Sequence, residues 1–433
     1  MEYNNDIDKR IDDELFDYVN LQNPKSFFLF AGAGSGKTRS LVNTLEGIKR
    51  DYGHELKMQR KGVAVITYTN AACDEIIHRL NNDSMFVVST IHSFAWELIK
   101  YYTNDTKAYL RNSITAEITE LEVEEAKGRQ GTKTSIDRKR KIENKKERLS
   151  ILSKVVKFIY NPNGNNDEYN SLSHTEVIDI CVNFIINKPL FQKIIIQKFP
   201  ILLIDESQDT NKELIDAFFI IQQNHKNFSL GLFGDIMQRI YTDGKENLGV
   251  DLPSDWEKPQ KQMNHRCPKR MIQLLNKIRS HTDNIMQLPR TDKEEGFIRL
   301  FIISSSSTDK IIIEDAIRQK MAEITKDKLW GDFNNVKALI LEHHMAAKRM
   351  NFIDLFEPLY KIDVNKVGLL DGSLTGLRFF TQIILPLIIA KKIGDNFSVS
   401  RIVRQFSPLL KKENLKNTFN QIDTIKDINS KIE

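Results

Sequence analysis

Ser26-Phe27-Phe28-Leu29-Phe30-Ala31-Gly32-Ala33-Gly34-Ser35-Gly36-Lys37-Thr38 is the stretch on which the fold turns. The run from Ser26 to Phe30 is short and apolar, as a buried strand is, and it stops at a glycine-rich turn. Thr38 to Ile48 then places Leu41, Val42, Leu45 and Ile48 at helical spacing. Strand, tight loop and helix in that order form a phosphate loop. Small residues let successive backbone N–H groups face an anion, and the N-terminus of the helix adds favourable electrostatics. Lys37 supplies a point charge for the β- and γ-phosphates, and Thr38 offers a hydroxyl to Mg²⁺. Ala31, Gly32, Ala33, Gly34, Ser35, Gly36, Lys37, Thr38 and Arg39 are the candidate nucleotide-contacting residues, with ATP and Mg²⁺ as the expected cofactors. Ala31 stands where the usual pattern has its first glycine.

Working outward, Gly62 to Thr67 reads as a second buried strand, Asn70 to about Leu80 as a helix, and Phe86 to Ser89 as a third strand. Strands alternating with helices predict a parallel sheet covered on both faces. The pattern then becomes helical from about Phe94 to Phe199, with a loop signal at Asn161 to Asn166. Strand character returns at Ile201 to Ile204 and at Leu230 to Phe233, so the helical stretch reads as an insertion into one α/β domain. Ile201-Leu202-Leu203-Ile204-Asp205-Glu206 describes a buried strand delivering two acids at its C-terminal end, where ligands bind in open α/β sheets. Asp205 is the expected Mg²⁺ ligand and Glu206 the residue that activates water. Further on, Phe297 to Ile303 and Val336 to Leu341 read as strands, with Ser304 to Asp309 a polar connector. From about Arg349 the reading is helical.

Bulk properties narrow the class. A chain of 433 residues is too long for one ordinary core. Its 40% hydrophobic and 28% charged residues describe a folded, water-soluble protein. A formal charge of +5 permits a polyanionic partner without demanding one. Cys73, Cys181 and Cys267 are too few and too scattered for a disulfide framework or a zinc set, which points to a reducing compartment. The polar, acidic N-terminus is unlike a secretory signal. Phe379 to Ala390 is too short to span a bilayer and reads as a buried helix. The expected location is cytoplasmic, with no membrane partner. His343-His344 has no third ligand in view.

A family resemblance emerges from several segments in order. Ala31 to Thr38 resembles the first motif of the UvrD/Rep-type superfamily 1 helicases, including the alanine start. Thr67-Tyr68-Thr69-Asn70-Ala71-Ala72 and Thr90-Ile91-His92-Ser93-Phe94 resemble DNA-contacting motifs. Asp205-Glu206-Ser207-Gln208-Asp209-Thr210 resembles the second motif, Gly234 to Tyr241 the third, and Asn264-His265-Arg266 the fourth, which is N-Y-R in most members. The resemblance implies RecA-like folding. Gln238 would sense the γ-phosphate, and Arg266 would be an arginine finger. Thr67, Thr69, Asn70, His92 and Tyr241 would lie along single-stranded DNA, with Tyr241 stacking on a base.

The organisation so implied runs as follows. The first RecA-like domain comprises residues 1–95 and 199–285, interrupted by a helical insertion over 96–198. A second RecA-like domain begins over 286–360, and a helical region over 361–433 opens a second insertion. Lys127, Arg129, Lys133, Arg138, Lys139, Arg140, Lys141, Lys145 and Lys146 lie in the first insertion; they read equally as a phosphate-contacting surface or as a solvated helix paired with its own acids. There are departures. No glutamine occupies the adenine-reading position near Ile11 to Phe16, no tryptophan follows the third motif, and the fifth and sixth motifs are not found. The expected activity is an ATP-dependent helicase or translocase on single-stranded or partially duplex DNA, moving 3′ to 5′. The competing expectation is an ATP- and DNA-sensing regulatory subunit with a nuclease partner, like UvrD-like subunits of phage-defence systems such as Gabija. The lost motifs lead to the expectation of a truncated chain or one completed by a partner.

Overall fold

The computed structural model describes residues 5–162, 166, 168–283, 285–304, 310–370, 372 and 374–407. Helices α1 (Lys9–Tyr18), α2 (Lys37–Met58) and α3 (Asn70–Arg79) alternate with strands β1 (Phe27–Ala31), β2 (Val63–Thr67) and β3 (Phe86–Thr90). Five helices follow: α4 (Ile91–Ile99), α5 (Thr103–Lys127), α6 (Lys133–Leu152), α7 (His174–Asn187) and α8 (Pro189–Lys198). The chain then returns through β4 (Ile201–Ile204), α9 (Lys212–Asn224), β5 (Ser229–Gly234) and the two-residue strand β6 (Gln260–Lys261). These strands form one sheet in the order β3-β2-β4-β5-β1-β6, and every pair is parallel. The fold is α/β, as the alternation of elements predicts.

Each central strand is buried on both faces, which is why it reads as an unbroken apolar run. Phe27, Leu29, Val63, Val65, Ile201, Leu203 and Phe233 point to one side and pack with Leu15 of α1, Leu41 and Leu45 of α2 and Ile76 of α3. Phe28, Ala64, Ile66, Leu202, Ile204 and Leu232 point to the other, against Phe94 of α4, Phe184 of α7 and Phe218 of α9. The two-residue periodicity of the strand thus separates two helical layers. Fully burying a side chain such as Leu203 contributes ~2 kcal/mol, so the sheet is a stiff platform for whatever its carboxyl ends carry.

The inserted helices hold together partly by charge. α5 and α6 form an antiparallel pair in which Glu125 meets Arg138 (2.9 Å) and Lys139 (3.6 Å), Glu122 meets Lys146 (2.6 Å) and Glu117 meets Lys145. A capping box starts α7, where Ser173 accepts from Glu176 N–H and Glu176 reaches back. After β5 the chain forms β7 (Met263–Asn264), α10 (Lys269–Arg279) and β8 (Leu288–Pro289), with β7 and β8 paired in parallel.

Residues from Phe301 onward make a second compact unit. Its described elements are helical, from Lys310–Thr325 to Asn396–Phe406. Three expectations fail in this part of the chain. Phe297 to Ile303 and Val336 to Leu341 are not strands. Leu300, Ile302, Leu339 and Leu341 are 86%, 87%, 98% and 95% exposed, and no described strand lies beside either run. An apolar run becomes a strand only when a neighbouring backbone completes its hydrogen bonds. The stretch from Phe379 to Ala390 is helical, including a π-helical turn at Phe379–Ile384, but it is not buried; Phe379, Phe380 and Leu385 are exposed. The expected connector at 305–309, the loop at 163–165 and the tail from 408 lie outside the described residues. Among the described residues no helix is long and apolar enough to cross a membrane. His344 packs its ring edge-on against Phe356 and Tyr360.

Candidate nucleotide and nucleic-acid site

The phosphate loop leaves β1 at Ala31 and enters α2 at Lys37. Gly34 and Gly36 have φ of 81° and 87°, a left-handed backbone that a side chain resists. The Ser35 N–H and hydroxyl both donate to Gly32 O, at 3.1 and 2.8 Å, which closes the loop on itself. The buried Lys37 ammonium is 3.1 Å from Glu206 Oε2, yet it makes no hydrogen bond among the described residues. The contact has an ion pair's distance without a hydrogen bond's angles, so most of the donor capacity of Nζ is unspent. A buried ammonium with free donors inside a glycine cradle fits a phosphate.

β4 places Asp205 and Glu206 beside that ammonium. Asp205 donates its N–H to Ile66 O (2.8 Å), and its carboxylate accepts from Glu206 N (3.0 Å). Burial, with the Glu206 charge adding to it, pushes Asp205 up to about 6 despite Lys37. A buried acid so short of positive charge, at the end of β4 and one strand removed from the β1 that leads to Thr38 in the first turn of α2, fits with that hydroxyl a hard divalent cation such as Mg²⁺. Glu206 itself has φ 49° and ψ 45°, a left-handed conformation rare for a residue with a side chain.

Hydrogen bonds link Glu206 to Gln238 through two residues. Gln208 donates its amide to Glu206 Oε2 (2.9 Å) and accepts from Asp235 N–H (3.2 Å). Asp235 in turn accepts from Gln238 Nε2 at 2.6 Å. Asp209 accepts from the N–H groups of Ile240 and Tyr241, which pins the end of the third motif to the second. From the far side, Asn264 donates to Ala33 O (2.8 Å) and accepts from Arg266 and Cys267 N–H, while His265 N–H donates to Gly34 O (2.9 Å). Arg266 is thereby held beside the loop. Its guanidinium is exposed and makes no ion pair among the described residues, unlike an ordinary surface arginine in a salt bridge.

Sequence reasoning missed several participants. Gln287 is buried, donates to Ala33 O (3.4 Å), accepts from Asn264, and lies where a side chain on Gly32 would go. Asp8 accepts from the N–H groups of Gln262 and Met263. Asp12, in the segment without the adenine-reading glutamine, pairs with Lys261 (3.0 Å) and with Ser40 (2.6 Å). Arg279, at the end of α10, grips Asp235 with two bonds of 2.9 Å. None carries a motif signal, because each acts through a partner about 30 or more residues away.

The expected nucleic-acid residues gather at the carboxyl ends of β2 and β3, where Thr67 pairs with Thr90. Thr67 is buried and its hydroxyl contacts Thr69 O and Cys73 Sγ, so it shapes the edge from beneath. Thr69 caps α3 and is exposed, as is Asn70 at its start. Tyr241 stacks on Tyr68 at 4.7 Å and 29°, a partner the sequence reading passed over. His92 meets the ring of His174 edge-on at 5.1 Å; burial, with His174 adding to it, pushes His92 down to about 4. In the basic segment, Arg138, Lys139, Lys145 and Lys146 pair with acids of α5, which supports the solvated-helix reading for them. Lys127, Arg129, Lys133, Arg140 and Lys141 make no ion pair among the described residues.

Comparison with known proteins places these observations. Residues 16–242 match the family model described as the UvrD/REP helicase N-terminal domain. The Gabija protein GajB of Bacillus cereus (strain HuB5-5) is 29% identical over 404 residues, covering 78% of this chain and 57% of the relative. The ATP-dependent DNA helicase Rep of Buchnera aphidicola subsp. Schizaphis graminum is 26% identical over 49% of this chain and 35% of its own. Rep of Buchnera aphidicola subsp. Baizongia pistaciae is 25% identical over 58% and 40%. The chain therefore spans 57% or less of each of these relatives.

Proposed function

We propose, because the chain belongs to the UvrD/REP helicase N-terminal domain family, that it is an ATP-hydrolysing translocase or helicase on single-stranded DNA, moving 3′ to 5′. The observation that carries this reading is the buried Lys37 ammonium, unspent in its glycine cradle and facing Glu206 at 3.1 Å. The phosphates of ATP lie on the loop, with Lys37 against the β- and γ-groups. Thr38 and Asp205 would hold Mg²⁺, which would neutralise phosphate charge when bound. Glu206 orients and deprotonates the attacking water. Gln238 leaves Asp235 for the γ-phosphate, and Arg266 swings its unpaired guanidinium onto the transferring group. Because Gln208 joins Glu206 to Asp235, a change at the γ-phosphate reaches the Tyr241 segment through Asp209.

On the domain level, residues 1–95 and 199–285 form the first RecA-like domain and 96–198 its insertion. Assigning 286–360 to a second RecA-like domain and 361–433 to a further insertion rests on sequence order.

The test compares ATP hydrolysis with and without single-stranded DNA for wild type and Glu206→Gln. Loss of a positioned general base costs about 10²–10⁴-fold in turnover, so the variant should hydrolyse roughly 10³-fold more slowly while nucleotide affinity changes little. Wild type that binds DNA but shows no turnover would sink the motor. It would leave the second reading, an ATP- and DNA-sensing subunit that regulates a nuclease partner, which the extended likeness to a Gabija protein favours.

A further inference from the structure

The α10 helix has a role at each end. Arg266 precedes its start and Arg279 is its last residue. A last-turn arginine ordinarily extends into water, where it complements the helix dipole. Arg279 instead turns inward, with its side chain 8% exposed and that of Asp235 2% exposed. Two bonds of 2.9 Å join it to the two oxygens of Asp235, and Asp283 takes two more of its donors at 2.6 and 3.3 Å. A buried charge persists only when it is paired and well hydrogen-bonded, and here two carboxylates occupy most of the guanidinium's donors. Burial would raise Asp235, but Arg279 and then Gln238 hold it below the usual carboxylate range.

Asp235 Oδ2 receives two donors, Gln238 Nε2 and Arg279 Nη1. The bond to Gln238 must break when its amide turns to a γ-phosphate. Alone, Asp235 would be a buried anion with Gln238 as its side-chain donor, and it would hold that amide tightly. With Arg279 in place the carboxylate stays neutralised after Gln238 leaves. We propose that Arg279 is a positioning residue for Gln238: it orients Asp235, lowers the cost of releasing the Gln238 amide, and ties that release to the helix led by Arg266. This rests on the reading of Gln238 as the γ-phosphate sensor.

The experiment uses the full chain and five variants: Arg279→Lys, Gln238→Ala, their combination (the double variant), Asp283→Asn, and Asp283→Asn in the Gln238→Ala background. Readouts are DNA-stimulated turnover, ADP affinity, and the ratio of ATP to ADP affinity, with thermal melting as the folding control. Lysine keeps the charge but loses the two-pronged grip. Misplacement of a catalytic group by about 1 Å costs up to ~100-fold, so Arg279→Lys should lower turnover about tenfold. It should also lower the preference for ATP over ADP several-fold and leave ADP affinity unchanged. The double variant should be no worse than Gln238→Ala, since both act through one group.

Three results overturn the proposal. They are turnover and nucleotide preference within twofold of wild type, a multiplicative loss in the double variant, or a matching fall in ADP affinity, which marks general damage to the loop. If Arg279→Lys does not fold, Asp283→Asn decides, with a smaller loss that disappears in the Gln238→Ala background or no loss at all. If wild type hydrolyses nothing, the motor reading fails, and the ATP-to-ADP preference still judges Arg279.

Discussion

Substituting alanine in turn for Gly32, Gly34 and Gly36 should weaken nucleotide binding by unequal amounts, and the structure sets the order. At Gly34 two costs combine. The left-handed backbone costs a residue with a Cβ roughly 1–2 kcal/mol. The added methyl would also lie 2.8 Å from Asn264 Oδ1 and 2.9 Å from Arg266 Cβ, closer than such atoms approach. Asn264 would have to move, and it holds Ala33 O and the N–H groups of Arg266 and Cys267. Losing two such bonds costs about 1 kcal/mol each. The sum is about 3–4 kcal/mol, on the order of 10²–10³-fold in Kd if the loop must be native to bind. At Gly36 the nearest atoms are 4.0 Å away, so only the backbone cost applies, roughly tenfold. At Gly32 the backbone is ordinary and the obstacle is the end of the Gln287 side chain, which can swing aside; about 1 kcal/mol is expected. Calorimetric titration of ATP with Mg²⁺ into each variant on a Glu206→Gln background measures Kd without turnover, and thermal melting shows whether the loss falls on binding or folding. Gly34→Ala within threefold of its parent in both Kd and melting, or Gly36→Ala weaker than Gly34→Ala, would refute the steric argument.

Two further outcomes follow from named groups. His92 is half-buried and pushed down to about 4, while in the unfolded chain it titrates near 6.5. Its folded value is depressed, so the unfolded state takes the proton first, and stability falls as pH drops from about 6.5 to about 4. At ~1.4 kcal/mol per pH unit, reduced for its partial exposure, about 2 kcal/mol is lost over that window. Urea melts across it should show a shallower acid limb for His92→Phe than for wild type; parallel limbs would contradict the assignment. Asp12→Ala strands the Lys261 ammonium, which is buried and otherwise contacts Ser40. Removing one partner of a buried pair costs 3–5 kcal/mol, lowered here to about 2–3 because Asp12 is partly exposed. Denaturant unfolding should show that loss for alanine and a smaller one for asparagine.

The legible parts of this molecule are those whose signal is local. β1, β2, β4 and β5 were readable because a strand covered on both faces must be apolar at every position, as Ile201 to Ile204 is. Lys37 and Asp205 were readable because a glycine-rich turn into a helix and an acid-tipped strand are local patterns, and Gln238 because its segment resembles a family motif. β6 was not, since two residues hold no period, and Gln260 and Lys261 pair with β1 only through tertiary placement. Val336 to Leu341 had the composition of a strand but no described neighbour to complete it. Arg279 and Gln287 were illegible for a related reason. What each does is defined by Asp235 and by Ala33, at 44 and 254 positions' distance, and no short pattern encodes such a pairing. The basic stretch was legible as charge but not as geometry. Only the facing acids of α5 separate Arg138 and Lys145 from Lys133 and Arg140.

The clasp on the phosphate loop also sets a schedule for synthesis. Asn264 reaches Ala33 across 231 positions. At a translation rate of about 5–20 residues per second, the loop waits on the order of 10–50 s before the residue that braces it exists. During that interval β2 can pair with β3 and then β4, while β1 waits for β5; Asp8 has no β7 backbone to cap and Gly34 O has no donor from His265. The nascent chain thus carries a phosphate loop closed only by its own Ser35–Gly32 bonds, and the braced loop exists only after Asn264 has emerged from the ribosome.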